Sequence, residues 1–182
     1  MPLTLLRHTR PAVGPEICYG ARDVALAETF EAEAAALLPG LPPVDRIVTS
    51  PLARCARLAE WLGDRLDVPV TQDPDWREID FGRWEGLAWD AVPRDELGLW
   101  CEDFMAARPH GGESVAMLLA RVRTAAARFC PEDRALAVTH GGPIRAALFA
   151  AGSDPEAWTR TVPFGTLVPL PSRPRRAAAV AS

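Results

Sequence analysis

No lysine occurs in this chain of 182 residues, and all 20 of its basic residues are arginine. Without lysine there is no Walker-type G-K-[ST] loop and no Schiff-base nucleophile. The lysine of haloacid-dehalogenase-like phosphatases is missing too, although Asp73-Pro74-Asp75 carries a pair of aspartates of their kind. Cysteine is sparse: Cys18, Cys55, Cys101 and Cys130 are widely spaced and form no C-x-x-C, which argues against both a zinc site and a disulfide framework. Reduced, mostly buried thiols are expected. A protein tyrosine phosphatase needs an arginine six positions after its cysteine, and those positions hold Val24, Trp61, Ala107 and Leu136. No apolar run approaches a membrane span, and the chain opens on a strand signal instead of a basic and apolar leader, so a cytoplasmic protein is expected. The net charge of -4 gives no general attraction to nucleic acid or an anionic membrane, so any anion must bind in a local pocket.

Of the three histidines, His8 and His140 stand at the ends of apolar runs. Leu3-Thr4-Leu5-Leu6 leads into Arg7-His8-Thr9, and Ala135-Leu136-Ala137-Val138-Thr139 leads into His140-Gly141-Gly142; both read as buried strands delivering polar groups at their carboxyl ends. Between them strand and helix signals alternate. Residues 11–20 read as a loop, 25–38 as an alanine-rich helix closed by Pro39-Gly40, and 45–49 as a strand. Ser50-Pro51 reads as the N-cap and first turn of a helix carrying Leu58, Leu62 and Leu66, with Arg54 one turn in. Residues 68–72 form a short strand, 114–129 an amphipathic helix behind the Gly111-Gly112 turn, 143–151 a helix and 166–170 a strand. The stretch 76–112 is less regular. It holds Trp76, Trp84, Trp89 and Trp100, which core packing explains more readily than ligand stacking, though such an excursion also suits a substrate cover.

The alternation predicts an α/β protein: a three-layer α/β/α sandwich on a mostly parallel central sheet. Residues 1–170 form a single domain, with 76–112 as a substrate-covering excursion and 171–182 as a poorly ordered tail. Open sheets of this type bind ligands at the carboxyl ends of their strands. Arg7, His8, Arg22, Arg54 and His140 can converge there, and a phosphate dianion is the guest that such forked donors suit.

Five segments carry a resemblance, in order and over residues 3 to about 150. They are Leu6-Arg7-His8-Thr9, Ser50-Pro51-Leu52-Ala53-Arg54, Glu78-Ile79-Asp80-Phe81-Gly82-Arg83-Trp84-Glu85-Gly86, Gly111-Gly112-Glu113-Ser114 and Val138-Thr139-His140-Gly141-Gly142-Pro143-Ile144-Arg145. Together they resemble the histidine phosphatase superfamily, its phosphoglycerate-mutase-like branch. The segment Cys18-Tyr19-Gly20 through Asp23 and Leu26 is similar to short alpha-ribazole phosphatases.

The resemblance implies a phosphomonoesterase acting through a phosphohistidine intermediate with no cofactor and no metal. His8 would be the nucleophile, Arg7, Arg54 and His140 the clamp on the phosphoryl oxygens, and Glu78 the acid, with Glu85 and Glu113 next in line. Gly141 and Gly142 let backbone approach the phosphate, and Thr9, Tyr19 and Arg22 are further contacts. The implied substrate is a small phosphate ester, alpha-ribazole 5'-phosphate among the options. A broad sugar-phosphate phosphatase, a phosphoglycerate mutase and a non-catalytic phosphate-binding module are the alternatives, and a homodimer is left open. Three departures from the family pattern bear on specificity: Thr9 replaces the usual glycine, Leu58 stands where threonine is common, and the asparagine frequent after the first motif is missing, which leaves Arg10, Tyr19 or Arg22 to take its place.

Overall fold

In the computed structural model, which describes residues 3–130, 132–154 and 156–171, five strands form one sheet in the order β3-β2-β4-β1-β5. The strands are β1 (Leu3–Arg7), β2 (Arg46–Thr49), β3 (Val70–Gln72), β4 (Ala135–Thr139) and β5 (Leu167–Leu170). All neighbours are parallel except β5, which runs antiparallel to β1. The helices are α1 (Phe30–Leu37), α2 (Ala53–Leu66), α3 (Arg94–Glu102), α4 (Val115–Ala126) and α5 (Gly141–Ala151).

Side chains alternate across a strand, so neighbouring residues enter opposite cores. Leu3, Leu5, Ala135 and Ala137 pack with Val115, Leu118 and Val122 of α4 and Ile144 and Leu148 of α5. Leu6, Ile47, Leu136 and Val138 pack with Leu58 and Leu62 of α2 and Ala34 of α1. These are the two outer layers of the expected sandwich. Both faces are covered, which is why β4 is buried along its whole length and reads as an unbroken apolar run.

Several boundaries differ from expectation for local reasons. The first helix begins at Phe30 instead of residue 25: the Ala25 carbonyl accepts from Ala12 and Ala27 donates to Arg10, so backbone pairing with the first loop overrides the helix propensity of the alanines. The Ser50 hydroxyl is not the N-cap of α2. It accepts from Leu52 N at 3.3 Å and faces His140, and the helix starts at Ala53, whose amide is capped from a distance by Asp23 Oδ1 at 2.9 Å. Arg54 is therefore the second helical residue, not one turn in. α5 starts two residues earlier than expected, with Gly141 and Gly142 inside its first turn, and β3 begins at Val70. Ser114 does cap α4, accepting from Met117 N at 3.2 Å. Cys18 and Cys55 are buried, whereas Cys101 and Cys130 are exposed, against the expectation of mostly buried thiols. Apart from Pro171, the expected tail lies outside the described residues.

Candidate active site

Register alone assembles the site. Arg7 is opposite Thr139 and Thr49 is opposite Val138, so β1 and β4 end level, β2 ends one residue short of them, and the next residues, His8, Ser50 and His140, become neighbours. The His8 amide donates to the Thr139 carbonyl and the Ser50 amide to that of Val138, each at 3.0 Å.

His8 is buried, and its Nδ1 lies 2.6 Å from the Thr9 carbonyl oxygen. A carbonyl can only accept, so Nδ1 carries the hydrogen and Nε2 keeps its lone pair. Burial above all, then the Arg54 charge, lowers the His8 pKa to about 3, with Arg7 adding to the effect and the bond to Thr9 opposing it. The ring is therefore neutral at physiological pH.

His140 is also buried, with its ring edge-on to His8 at 5.1 Å between centroids. Its Nδ1 accepts from Arg54 Nε at 3.2 Å, which assigns the hydrogen to Nε2, 2.8 Å from the Ser50 hydroxyl and 3.3 Å from Cys55 Sγ. Burial, followed by His8, Arg54 and Arg7, drives its pKa well below the ordinary histidine value.

Arg54 is fully buried. Besides His140 it donates to the carbonyls of Arg22 (2.9 Å) and Gly20 (2.7 Å), and its guanidinium lies over the Tyr19 ring. Arg7 donates to the Val162 carbonyl and stacks on Phe164, with Cζ 4.0 Å from the ring centroid. Arg7 Nε and Thr9 Oγ1 are buried with no protein partner. A buried donor left unmet costs roughly 1–3 kcal/mol, and two such atoms flanking one histidine describe a cradle built for an acceptor-rich anion.

Glu78 lies on the far side of α5's first turn. Its Oε1 accepts from Ile79 N at 3.0 Å and its Oε2 from Gly142 N at 3.2 Å. A side chain at position 142 would meet Glu78 Oε1 at 2.1 Å, so only glycine admits the carboxylate there. With Gly142 engaged and Pro143 lacking an N–H, Gly141 presents the one unused amide of the helix start among the described residues.

Of the other expected contacts, Tyr19 is half-buried, its phenol raised in pKa chiefly by burial while Arg7, Arg54 and Glu78 also act on it. Arg22 is not in the cradle: it contributes its carbonyl to Arg54, and its side chain is exposed beside Gly86. Glu85 accepts from Ala21 N and Phe81 N, and Glu113 pairs with Arg121, so both alternative acids are spent on structure. Three residues outside the sequence expectations shape the site. Arg121 donates to the carbonyls of Asp75, Arg77 and Glu78 and so fixes the backbone that carries the Glu78 carboxylate. Phe164 comes from an aperiodic loop and left no signal. Arg145 could have been found, four residues after Gly141 and thus on the same helix face.

An open α/β sheet with a neutral histidine, one buried and one half-buried arginine and a carboxylate at its strand ends defines an enzyme of the phosphatase and mutase type. The chain belongs to the histidine phosphatase superfamily (branch 1), whose family model matches residues 3–167. It is 31% identical over 147 residues to the uncharacterized phosphatase PhoE of Bacillus subtilis (strain 168), covering 76% of this chain and 71% of that one. The curated mycobacterial relatives it matches, 34% identical over 153 residues, are longer, and the chain spans 42% of their length. Among solved structures, it superposes on the mycobacterial glucosyl-3-phosphoglycerate phosphatase Rv2419c in complex with VO3, with a TM-score of 0.78, 27% identity and coverage of 91% of this chain and 88% of that one. A phosphoglycerate mutase from Thermus thermophilus matches with a TM-score of 0.73, 31% identity and coverage of 92% and 91%.

Proposed function

We propose that this protein is a phosphomonoesterase that hydrolyses a small phosphorylated metabolite by way of a phosphohistidine at His8, without a metal ion. The observation that carries the proposal is the Nδ1 contact to the Thr9 carbonyl. It leaves a neutral ring with its Nε2 lone pair beside two guanidinium groups and two buried donors that lack partners.

In the first step Nε2 attacks phosphorus, the bond from phosphorus to the ester oxygen breaks, and the departing alkoxide takes a proton from Glu78. In the second, water gives that proton back to the carboxylate and attacks phosphorus, and the N–P bond breaks. Arg7 and Arg54 hold the equatorial oxygens and offset their charge, with Thr9 Oγ1 and the Gly141 amide as further donors. His140, expected in the clamp, has both ring nitrogens engaged by Arg54 Nε and the Ser50 hydroxyl, so here it orients Arg54. Arginine supplies the positive charge that a divalent cation would otherwise bring, so turnover should survive EDTA. Among ester classes, alpha-ribazole 5'-phosphate and other sugar phosphates suit a site bordered by Tyr19, with the stretch 76–112 on its leaving-group side.

Rapid quenching during turnover of a radiolabelled ester should trap acid-labile, alkali-stable phosphate on the His8 peptide, and His8→Ala should abolish it along with turnover. Label on a cysteine or aspartate would overturn the proposal.

A further inference from the structure

We infer that Arg145 is a specificity-determining residue that binds a second anionic group, a carboxylate or another phosphate, on the leaving group of the ester. The inference rests on the roles of His8 and Glu78 proposed above.

Arg145 is half-buried, one turn into α5. Its Nε donates to the Arg160 carbonyl at 2.8 Å, which fixes the plane of the guanidinium and leaves the terminal nitrogens for another partner. Arg145 Nη1 lies 3.6 Å from the point where a side chain at Gly141 would begin, and Arg7 Cζ lies 3.6 Å from the same point. The two guanidinium groups are thus separated by no more than about twice that distance. Burial lowers the pKa of Arg145, Glu78 opposes that shift, and Arg7 reinforces it, so the charges at the reacting centre are the ones that act on this side chain.

Among the described residues no carboxylate forms an ion pair with Arg145, unlike Arg121 on the neighbouring helix, which is paired with Glu113 at 2.7 Å. A guanidinium that has lost part of its water, sits close to a second guanidinium and lacks a carboxylate is poised for an anion from outside. Position decides which anion. Glu78, which accepts from the amide of Gly142 and whose charge acts on Arg145, is the group proposed to meet the ester oxygen, so Arg145, between Glu78 and Arg7, is assigned to the leaving-group side of the site. An anion one or two carbons beyond the ester oxygen fits the span between Arg7 and Arg145. It would otherwise face Glu78 with nothing to offset the repulsion, so the same arrangement discriminates against neutral leaving groups only by the attraction it withholds.

The test compares kcat/KM for phosphoglycolate, ethylene glycol bisphosphate and 2-hydroxyethyl phosphate, three esters of similar length whose far ends are a carboxylate, a phosphate and a hydroxyl. The wild type should favour one or both anionic esters by roughly 10- to 100-fold, the loss expected for one or two charge-assisted hydrogen bonds. Arg145→Met should erase most of that ratio, chiefly through KM, and Arg145→Lys should restore part of it. Which of the two anionic esters responds identifies the anion. Equal efficiency of the wild type on all three esters would overturn the inference, as would an equal loss on all three in Arg145→Met. Failure of the phosphatase proposal would look different, because the wild type would then turn over none of them and carry no label on His8.

Discussion

Acid should destabilise this protein through the histidine it buries. The His8 pKa is about 3 in the folded chain against an ordinary 6.5. Above pH 6.5 the ring is neutral both folded and unfolded, and His8 contributes nothing to pH dependence. Below that value the unfolded state takes up a proton that the folded state refuses, so stability falls as pH falls, until folded His8 also protonates near pH 3. One proton of difference is worth roughly 1.4 kcal/mol per pH unit once the unfolded ring is fully charged, so His8 alone should cost about 2 kcal/mol between about pH 6.5 and about pH 4.5. That is a large share of a typical domain's stability. His140 is shifted in the same direction and steepens the slope. The assay is urea unfolding at steps of pH for the wild type and for His8→Asn, whose side-chain amide retains an N–H for the Thr9 carbonyl but does not titrate. Carboxylates and His140 contribute to both proteins, so the difference between the two curves isolates His8. That difference should change by close to one proton's worth per pH unit on acidification, and curves that stay parallel from about pH 7 to about pH 4.5 would refute the account of a buried neutral His8.

Arg54→Ala removes three hydrogen bonds and leaves the buried Gly20 carbonyl and the part-buried Arg22 carbonyl without this donor; unfolding should show a loss on the order of 3–5 kcal/mol, and kcat/KM should fall about 100-fold or more for every ester alike. Glu78→Gln should strongly slow an alkyl phosphate yet affect p-nitrophenyl phosphate much less, since nitrophenolate leaves without a proton; equal losses on both would move the acid elsewhere. Gly142→Ala should imitate that pattern, because its methyl group displaces the Glu78 carboxylate, while calorimetry should show a Tm held or raised by the alanine inside α5.

What could be read in advance was whatever depended on local pattern. β4 was legible to the residue because a strand buried on both faces is apolar throughout, and the meeting of His8 with His140 follows from two such strands ending level. Arg54 meets His140 from the second helical position and not from one turn in, because Ser50 has the chemistry of a cap and spends it on His140, a partner ninety residues away. The cap that α2 does use, Asp23, is thirty residues distant and left no mark in the sequence around the helix. Arg121 and Phe164 were invisible for the same reason, since a backbone-holding arginine and a ring in an aperiodic loop have no spacing to betray them. The early start expected for α1 shows the limit of propensity: its alanines favour helix, and a pairing with residues 10–12 prevails.

The antiparallel strand β5 has a consequence for the birth of the protein. Arg7 and Val162, in contact in the finished molecule, are 155 residues apart along the chain. The Arg7 amide donates to Thr166, and Gly165 donates back to the Arg7 carbonyl. On the ribosome, Arg7 and His8 therefore wait, without the wall that seats them, through the synthesis of the roughly 155 residues that separate them from it. The nascent chain lacks these contacts until the residues before and within β5 clear the exit tunnel, so a ribosome stalled before residue 162 should carry an inactive chain.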